Sequence, residues 1–290
     1  MRRPTILVTG SNGQLGFELA RLLAPSGKVI AADRARLDLA DADAIVAAVR
    51  GAKPDLIVNA GAYTAVDLAE KEALQAAALN ARAPGILAEE AKRIGAALIH
   101  YSTDYVFDGA RTTPYPEDAP TAPLNVYGQT KLDGERAIAA VGGYALVFRT
   151  SWVYALRGSN FLLTIRRLAA ERDELRIVSD QIGVPNWSRS LAEATARVVA
   201  LGHPALAERS GLYHLSATGE ASWFDFARAI VGDVATPRIV PIATADYPLP
   251  ARRPAYGVLG TARFEAAFGF ALPDWRDSLA RCLASPPERD

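Results

Sequence analysis

The chain has one cysteine in 290 residues, Cys282, so it can form no internal disulfide. With only three histidines beside that cysteine, it also lacks the Cys/His clusters that bind zinc. No apolar run approaches the roughly 18 residues that a membrane helix needs. The opening MRRPTILVTG passes from basic residues straight into a strand-like run, without the apolar core and cleavage site of a signal peptide. The formal net charge is +0, which speaks against a surface made for nucleic acid or for an anionic membrane. A cytoplasmic protein is the simplest reading of these absences. Lysine is scarce too, at 5 residues against 27 arginines, so a lysine inside a motif asks for a chemical reason.

What is present is an alternation. TILVTG (5–10), KVIAAD (28–33), DLIVNA (55–60), ALIHYST (97–103) and YALVFRTSW (144–152) read as buried strands, separated by stretches with apolar residues at helical spacing. This rhythm predicts an α/β protein with a Rossmann-type, doubly wound parallel sheet covered by helices on both faces. After Trp152 the pattern loosens to a helix near 160–172 and strands near 175–180 and 212–216, punctuated by prolines. The expected division is a dinucleotide-binding domain over 1–154 and mainly a smaller C-terminal substrate-binding lobe over 155–290. Segments near 187–210 and 245–262 are expected to return to the first domain. The tail SPPERD reads as a loose end.

TGSNGQLG sets Gly10, Gly13 and Gly16, with Asn12 in the same turn, between the first strand and the first helix. A tight turn needs residues without Cβ, and phosphates approach bare backbone at a helix N-terminus. This GxxGxxG is a variant of the dinucleotide fingerprint. Asp33 closes the next strand about 20 residues on, where an acid binds ribose. Asp41 suits a helix cap better than a ligand contact, and Asp38 suits either.

NVYGQTKLDGE puts Tyr127 and Lys131 four apart on one helical face. A nearby ammonium is expected to lower the phenol pKa from about 10, making Tyr127 a proton donor near neutrality. Lysine suits this better than arginine because its compact charge can also reach ribose hydroxyls. In HYSTDYVFDG (100–109), Ser102 and Thr103 end the fourth strand facing opposite ways, so only one of them can meet a substrate carbonyl. Such a hydroxyl and the Tyr127 proton would stabilise the alkoxide formed by hydride addition.

With these motifs in order along the chain, together with NAGAYTAVDLAE, FRTSWVY, DQIGVPN, ARRP and LPDW, the sequence resembles the extended short-chain dehydrogenase/reductases. Within them it is similar to the dTDP-4-dehydrorhamnose reductase family. The resemblance implies Thr103, Tyr127 and Lys131 as catalytic residues. It implies Gly13, Gln14, Leu15, Asp38, Leu39, Ala62, Tyr63 and Thr64 around the cofactor. It puts Asp104, Tyr105 and Trp152 beside a nucleotide sugar, with Asp180, Gln181 and Arg253 as contacts from the second lobe. RPAYGVL departs from the family form RP-x-N/D-S-x-L, since Tyr256 and Gly257 replace small polar groups.

The activity implied is NAD(P)H-dependent reduction of the 4-keto group of dTDP-4-dehydro-6-deoxy-L-mannose to dTDP-L-rhamnose. The alternatives are a reductase or epimerase of another nucleotide sugar, or a non-catalytic regulatory subunit of the methionine adenosyltransferase type. Asp33 favours the 2′-hydroxyl of NADH, while Arg34 offers a fork to the 2′-phosphate of NADPH. These terms nearly cancel, so both cofactors are expected, with NADPH preferred by less than about tenfold. A homodimer is compatible with the resemblance, and some relatives are bridged by magnesium on glutamates. Glu18 suits that role, but Arg189 stands where a second acid would align, so Glu18 is expected in an ion pair and no metal is expected.

Overall fold

The computed structural model describes residues 3–232 and 236–286. Its main sheet contains β1 (Thr5–Thr9), β2 (Lys28–Ala32), β3 (Leu56–Asn59), β4 (Ala97–Thr103), β5 (Ala145–Thr150) and the strand Gly211–His214. From one edge to the other the order is Gly211–His214, β5, β4, β3, β1, β2, and every pairing is parallel. The chain reverses its winding direction between β1 and β3. In such sheets a ligand crevice opens at that point, beyond the carboxyl ends of the strands.

Side-chain alternation splits each strand between two cores. Ile6, Val8, Ile99 and Phe148 pack with Leu15 and Leu19 of helix α1 (Gln14–Leu22) and with Leu191 and Val198. Leu7, Ile57, Leu98 and Val147 pack on the opposite face with Ile45 and Val49 of α2 (Ala42–Ala52) and with Leu87 and Ala91. Burial on both faces explains why these strands read as continuous apolar runs. As expected, Asp41 caps α2, its carboxylate accepting from the amides of Asp43 and Ala44.

The second lobe has its own core around Tyr154, Leu175, Trp187, Phe226 and Trp275. The parallel pair Glu174–Val178 and Arg238–Ile242 lies within it. The return to the sheet runs beyond 187–210, because Gly211–His214 pairs with the outer edge of β5 rather than with the smaller lobe. A parallel strand takes partners far away in sequence, so its own residues do not say which sheet it joins. The stretch 245–262 touches the first domain through Arg253 and Asp67, and through Asn125 and the Arg252 carbonyl. Residues 287–290 of the tail lie outside the described residues. Among the described residues, no helix is long and apolar enough to cross a membrane.

Candidate active site

At the turn after β1, Gly10 has φ +65°. A Cβ there would lie 2.6 Å from Gly61 Cα, and one on Gly16 would lie 2.1 Å from the Gly10 carbonyl oxygen. The glycines therefore let two loops and the start of α1 touch. Gly13 is the N-cap, and no side chain caps α1, which leaves its first-turn amides for another acceptor. Beside them lies a cleft of about 650 Å³ lined by Gly10, Arg34, Asp38, Leu39, Ala62, Tyr63 and Thr64, among others. Leu15 is buried in the core, so its backbone alone is free to face a ligand. Gln14 accepts from Asn160 at 2.9 Å and ties α1 to the second lobe.

Asp33 is held by two donors, Asn12 Nδ2 and the Arg36 amide, each at 3.0 Å. Arg34 is exposed and lies 3.8 Å from Asp38. The loop 62–64 is fixed by a residue that sequence reasoning missed. Asn80 accepts from the Tyr63 amide at 2.8 Å and donates to the Tyr63 carbonyl at 3.0 Å. Asn80 lies in the π-helical turn Ala78–Arg82, and a lone amide inside the alanine-rich run AAALNARA was the available signal. A dinucleotide fits this set of bare amides, apolar walls and exposed polar ends.

β4 ends at Thr103, whose side chain caps the short turn Asp104–Val106 by accepting from the Tyr105 amide. Ser102 points the other way and donates to buried Glu135 at 2.5 Å, so Thr103 is the hydroxyl that meets Tyr127. Asn125 caps the helix Val126–Val141 that carries Tyr127 and Lys131. The rings of Tyr127 and Tyr105 meet edge to face at 5.6 Å.

The electrostatics differ from the expected picture. The Tyr127 phenol is pushed up to about 12 by burial, opposed by its hydrogen bond with Thr103 and reinforced by the nearby Asp104 charge. Lys131 is turned towards the Tyr101 carbonyl oxygen at 2.5 Å and His100 Nε2 at 3.3 Å rather than towards the phenol. Burial lowers Lys131 to about 8, with Glu135 opposing. Sharing a helical face did not make the ammonium the phenol's neighbour, because a long flexible side chain takes the best buried acceptor.

Asp104 is 2% exposed, and its Oδ1 accepts from Thr103 while its Oδ2 has no partner. Burial pushes its carboxyl up to about 7 against the hydrogen bond from Thr103. A Cβ on Gly257 would approach Asp104 Oδ2 to 2.5 Å, so a glycine at this position gives the carboxylate its space.

A second cleft of about 640 Å³ begins at Tyr105 and Arg253 and is lined by Phe161, Arg172, Arg176 and Trp223, with Gln181 also on its wall. Arg253 makes a two-pronged pair with Asp67, at 2.5 and 2.7 Å. Trp152 lies behind this wall with φ +42°, stacked on Trp223 at 3.5 Å. Asp180 accepts from the Thr244 amide and hydroxyl, and Gln181 links Thr244 to Trp223 Nε1. Asp180 and Trp152 thus support the cleft from outside its lining. The aromatic Trp223 and basic Arg172 and Arg176 were not singled out from the sequence, since an isolated Trp or Arg carries no motif.

The model of the RmlD substrate binding domain family matches residues 4–286. The dTDP-4-dehydrorhamnose reductase of Burkholderia thailandensis is 49% identical, covering 96% of this chain and 97% of that protein. The Escherichia coli protein of the same name is 45% identical, with 96% of each chain covered. Among solved structures, dTDP-4-dehydrorhamnose reductase from Bacillus anthracis in complex with NADP matches with a TM-score of 0.89 and 33% identity, covering 98% of this chain and 99% of that one. The Clostridium acetobutylicum ortholog gives 0.90 and 35%, with 96% and 98% covered. This chain, matched by family model, sequence and fold over nearly its whole length, belongs to the dTDP-4-dehydrorhamnose reductase family.

Proposed function

We propose that the protein reduces the 4-keto group of dTDP-4-dehydro-6-deoxy-L-mannose to give dTDP-L-rhamnose, with Thr103, Tyr127 and Lys131 as its catalytic residues. The observation that carries this reading is the placement of Tyr127 beside Thr103 at the end of β4 and edge to face with Tyr105, which lines the second cleft. A reduced nicotinamide cofactor, when bound, supplies the hydride. Gly13 to Gly16, Asp38, Leu39 and Ala62 to Thr64 would hold it, with Arg34 and Asp33 at the adenosine ribose. Tyr127 gives its proton to the carbonyl oxygen, and Thr103, its hydroxyl hydrogen turned from Asp104 Oδ1, donates a hydrogen bond to the same oxygen as charge develops there. Solvent then returns a proton to Tyr127. With its phenol raised to about 12, Tyr127 carries at neutral pH the proton that it gives. In the second cleft, Arg172 and Arg176 suit a diphosphate and Phe161 and Trp223 suit a base. Use of both NADPH and NADH, with a modest NADPH preference, is part of the proposal.

The test is consumption of NADPH and NADH against a panel of 4-keto nucleotide sugars, with product stereochemistry read by NMR. Turnover with another sugar nucleotide but not this one would move the assignment. Epimerisation without net cofactor oxidation would remove the reductase reading.

A further inference from the structure

His100, on β4, is not used in the reaction just described, yet it touches one of its residues. His100 Nε2 is 3.3 Å from Lys131 Nζ, and His100 Nδ1 is 3.0 Å from the side-chain nitrogen of Asn59. Asn59 Oδ1 in turn accepts from the Thr9 hydroxyl at 2.6 Å. Thr9, Asn59 and His100 stand in register on three adjacent strands, so their side chains form one row on one face of the sheet. Thr9, Asn59 and His100 are each 1% exposed and Lys131 is 2% exposed, so the row is closed to bulk solvent.

The row can be satisfied with two polarities. When Lys131 is charged it can only donate, so His100 must accept at Nε2 and carry its proton on Nδ1. Asn59 then offers its oxygen to Nδ1 after a half-turn of the amide, and its nitrogen donates to the Thr9 oxygen. When Lys131 is neutral the order reverses. Thr9 donates to the Asn59 oxygen, Asn59 donates to Nδ1, and Nε2–H donates to the amine. In either state each of the three contacts along the row pairs a donor with an acceptor, and a clash of two donors is what buried groups avoid. His100 itself stays neutral, because burial and the Lys131 charge hold it well below the usual histidine range.

We infer that His100, oriented by Asn59 and Thr9, is a positioning residue for Lys131 whose tautomer follows the charge of that lysine. It lets the lysine hold or release a proton without setting two buried donors against each other. The functional part of this rests on the reductase reading. The other groups facing Lys131 are Glu135 from its own helix and the Tyr101 carbonyl from β4. Glu135 is itself occupied by Arg149 of β5 and by Ser102.

With three histidines in the chain, nitrogen-labelled histidine gives a resolvable NMR spectrum of each ring. From about pH 6 to about pH 10, His100 should pass from the Nδ1–H to the Nε2–H tautomer as Lys131 titrates. In Lys131→Met that transition should vanish while the ring stays in one tautomer. A single tautomer throughout in the wild type, or an unchanged transition in Lys131→Met, would overturn the inference. This measurement needs no turnover, so it stands apart from any failure of the reductase assignment. In kinetics, His100→Leu should weaken NADPH binding by about tenfold, the scale of one lost hydrogen bond to a charge, and move the alkaline limb of kcat down by about one unit. His100→Gln, which can accept or donate, should recover most of both. An unchanged pH profile and unchanged NADPH binding in His100→Leu would likewise overturn it.

Discussion

Arg189 Nε donates to Glu18 Oε1 at 2.9 Å, joining the first helix to the helix Ser188–Val199 across a carboxylate that is wholly buried. Arg21 holds the other oxygen at 3.2 Å. Of the two ion pairs the sequence allowed for Glu18, at the surface or between helices, the structure has the inter-helix one. Arg189→Met should lower stability by about 3 kcal/mol, since removing one partner leaves a buried charge poorly compensated. Denaturant unfolding would measure it. Because a guanidinium occupies the position of a second acid, activity and assembly should be unchanged by EDTA. Loss on chelation, restored by magnesium, would count against this.

Tyr127→Phe should lower kcat by about 100-fold or more, the scale of lost general-acid catalysis, while NADPH affinity is largely kept. Lys131→Ala should damage both quantities. Steady-state kinetics with a fluorescence titration of the cofactor separates the two effects. A phenylalanine variant that turns over near the wild-type rate would remove Tyr127 as the donor.

Asp104 should give the folded protein a distinct pH dependence. Its folded-state pKa, near 7, is raised above the ordinary carboxylate value by burial, so the native state keeps a proton that the unfolded chain has released. Its contribution is full below about pH 4 and is lost as pH rises through about 7. The loss is on the order of 1–4 kcal/mol. Asp104→Asn should therefore show a smaller fall in Tm from about pH 5 to about pH 8 than the wild type. Equal falls in both proteins would show that the carboxyl is not protonated in the native state. The comparison of slopes matters, because the new amide nitrogen at the Oδ2 position lowers stability at every pH.

Cofactor choice should respond to two adjacent residues in opposite senses. Arg34→Ala should weaken NADPH selectively and Asp33→Ala should weaken NADH selectively, each by several-fold in kcat/KM. In the wild type the preference for NADPH should stay within about tenfold, or 1.4 kcal/mol. The Asp33 carboxylate is anchored by Asn12 and the Arg36 amide, so it stays at the strand end. Its neighbour Arg34 is exposed, and Asp38 partly offsets its charge. A thousandfold difference between the cofactors would mean that one of these side chains does not act at the ribose.

The five strands of the first half were legible because buried parallel strands write themselves as short apolar runs, as TILVTG and ALIHYST do. The glycine turn was legible for the same local reason, and so was the Asp41 cap. The opposed directions of Ser102 and Thr103 followed from strand alternation alone, and the structure adds that Ser102 is the one committed to the interior. Period, turn chemistry and side-chain alternation are properties of neighbouring residues, so one sequence contains them.

By itself, then, the sequence determined the order of the elements, the glycine turn, and the presence of Thr103, Tyr127 and Lys131 on segments that end at one edge of a sheet. Only the tertiary structure decided that Gly211–His214 completes that sheet. It alone decided that Lys131 turns to His100, that Asn80 fixes the loop at Tyr63, and that Gly257 makes room for Asp104. Each of these depends on which distant residues meet and how far water is excluded where they do. A titrating group or a buried hydrogen-bond donor takes its behaviour from that environment, and spacing along the chain carries no record of it.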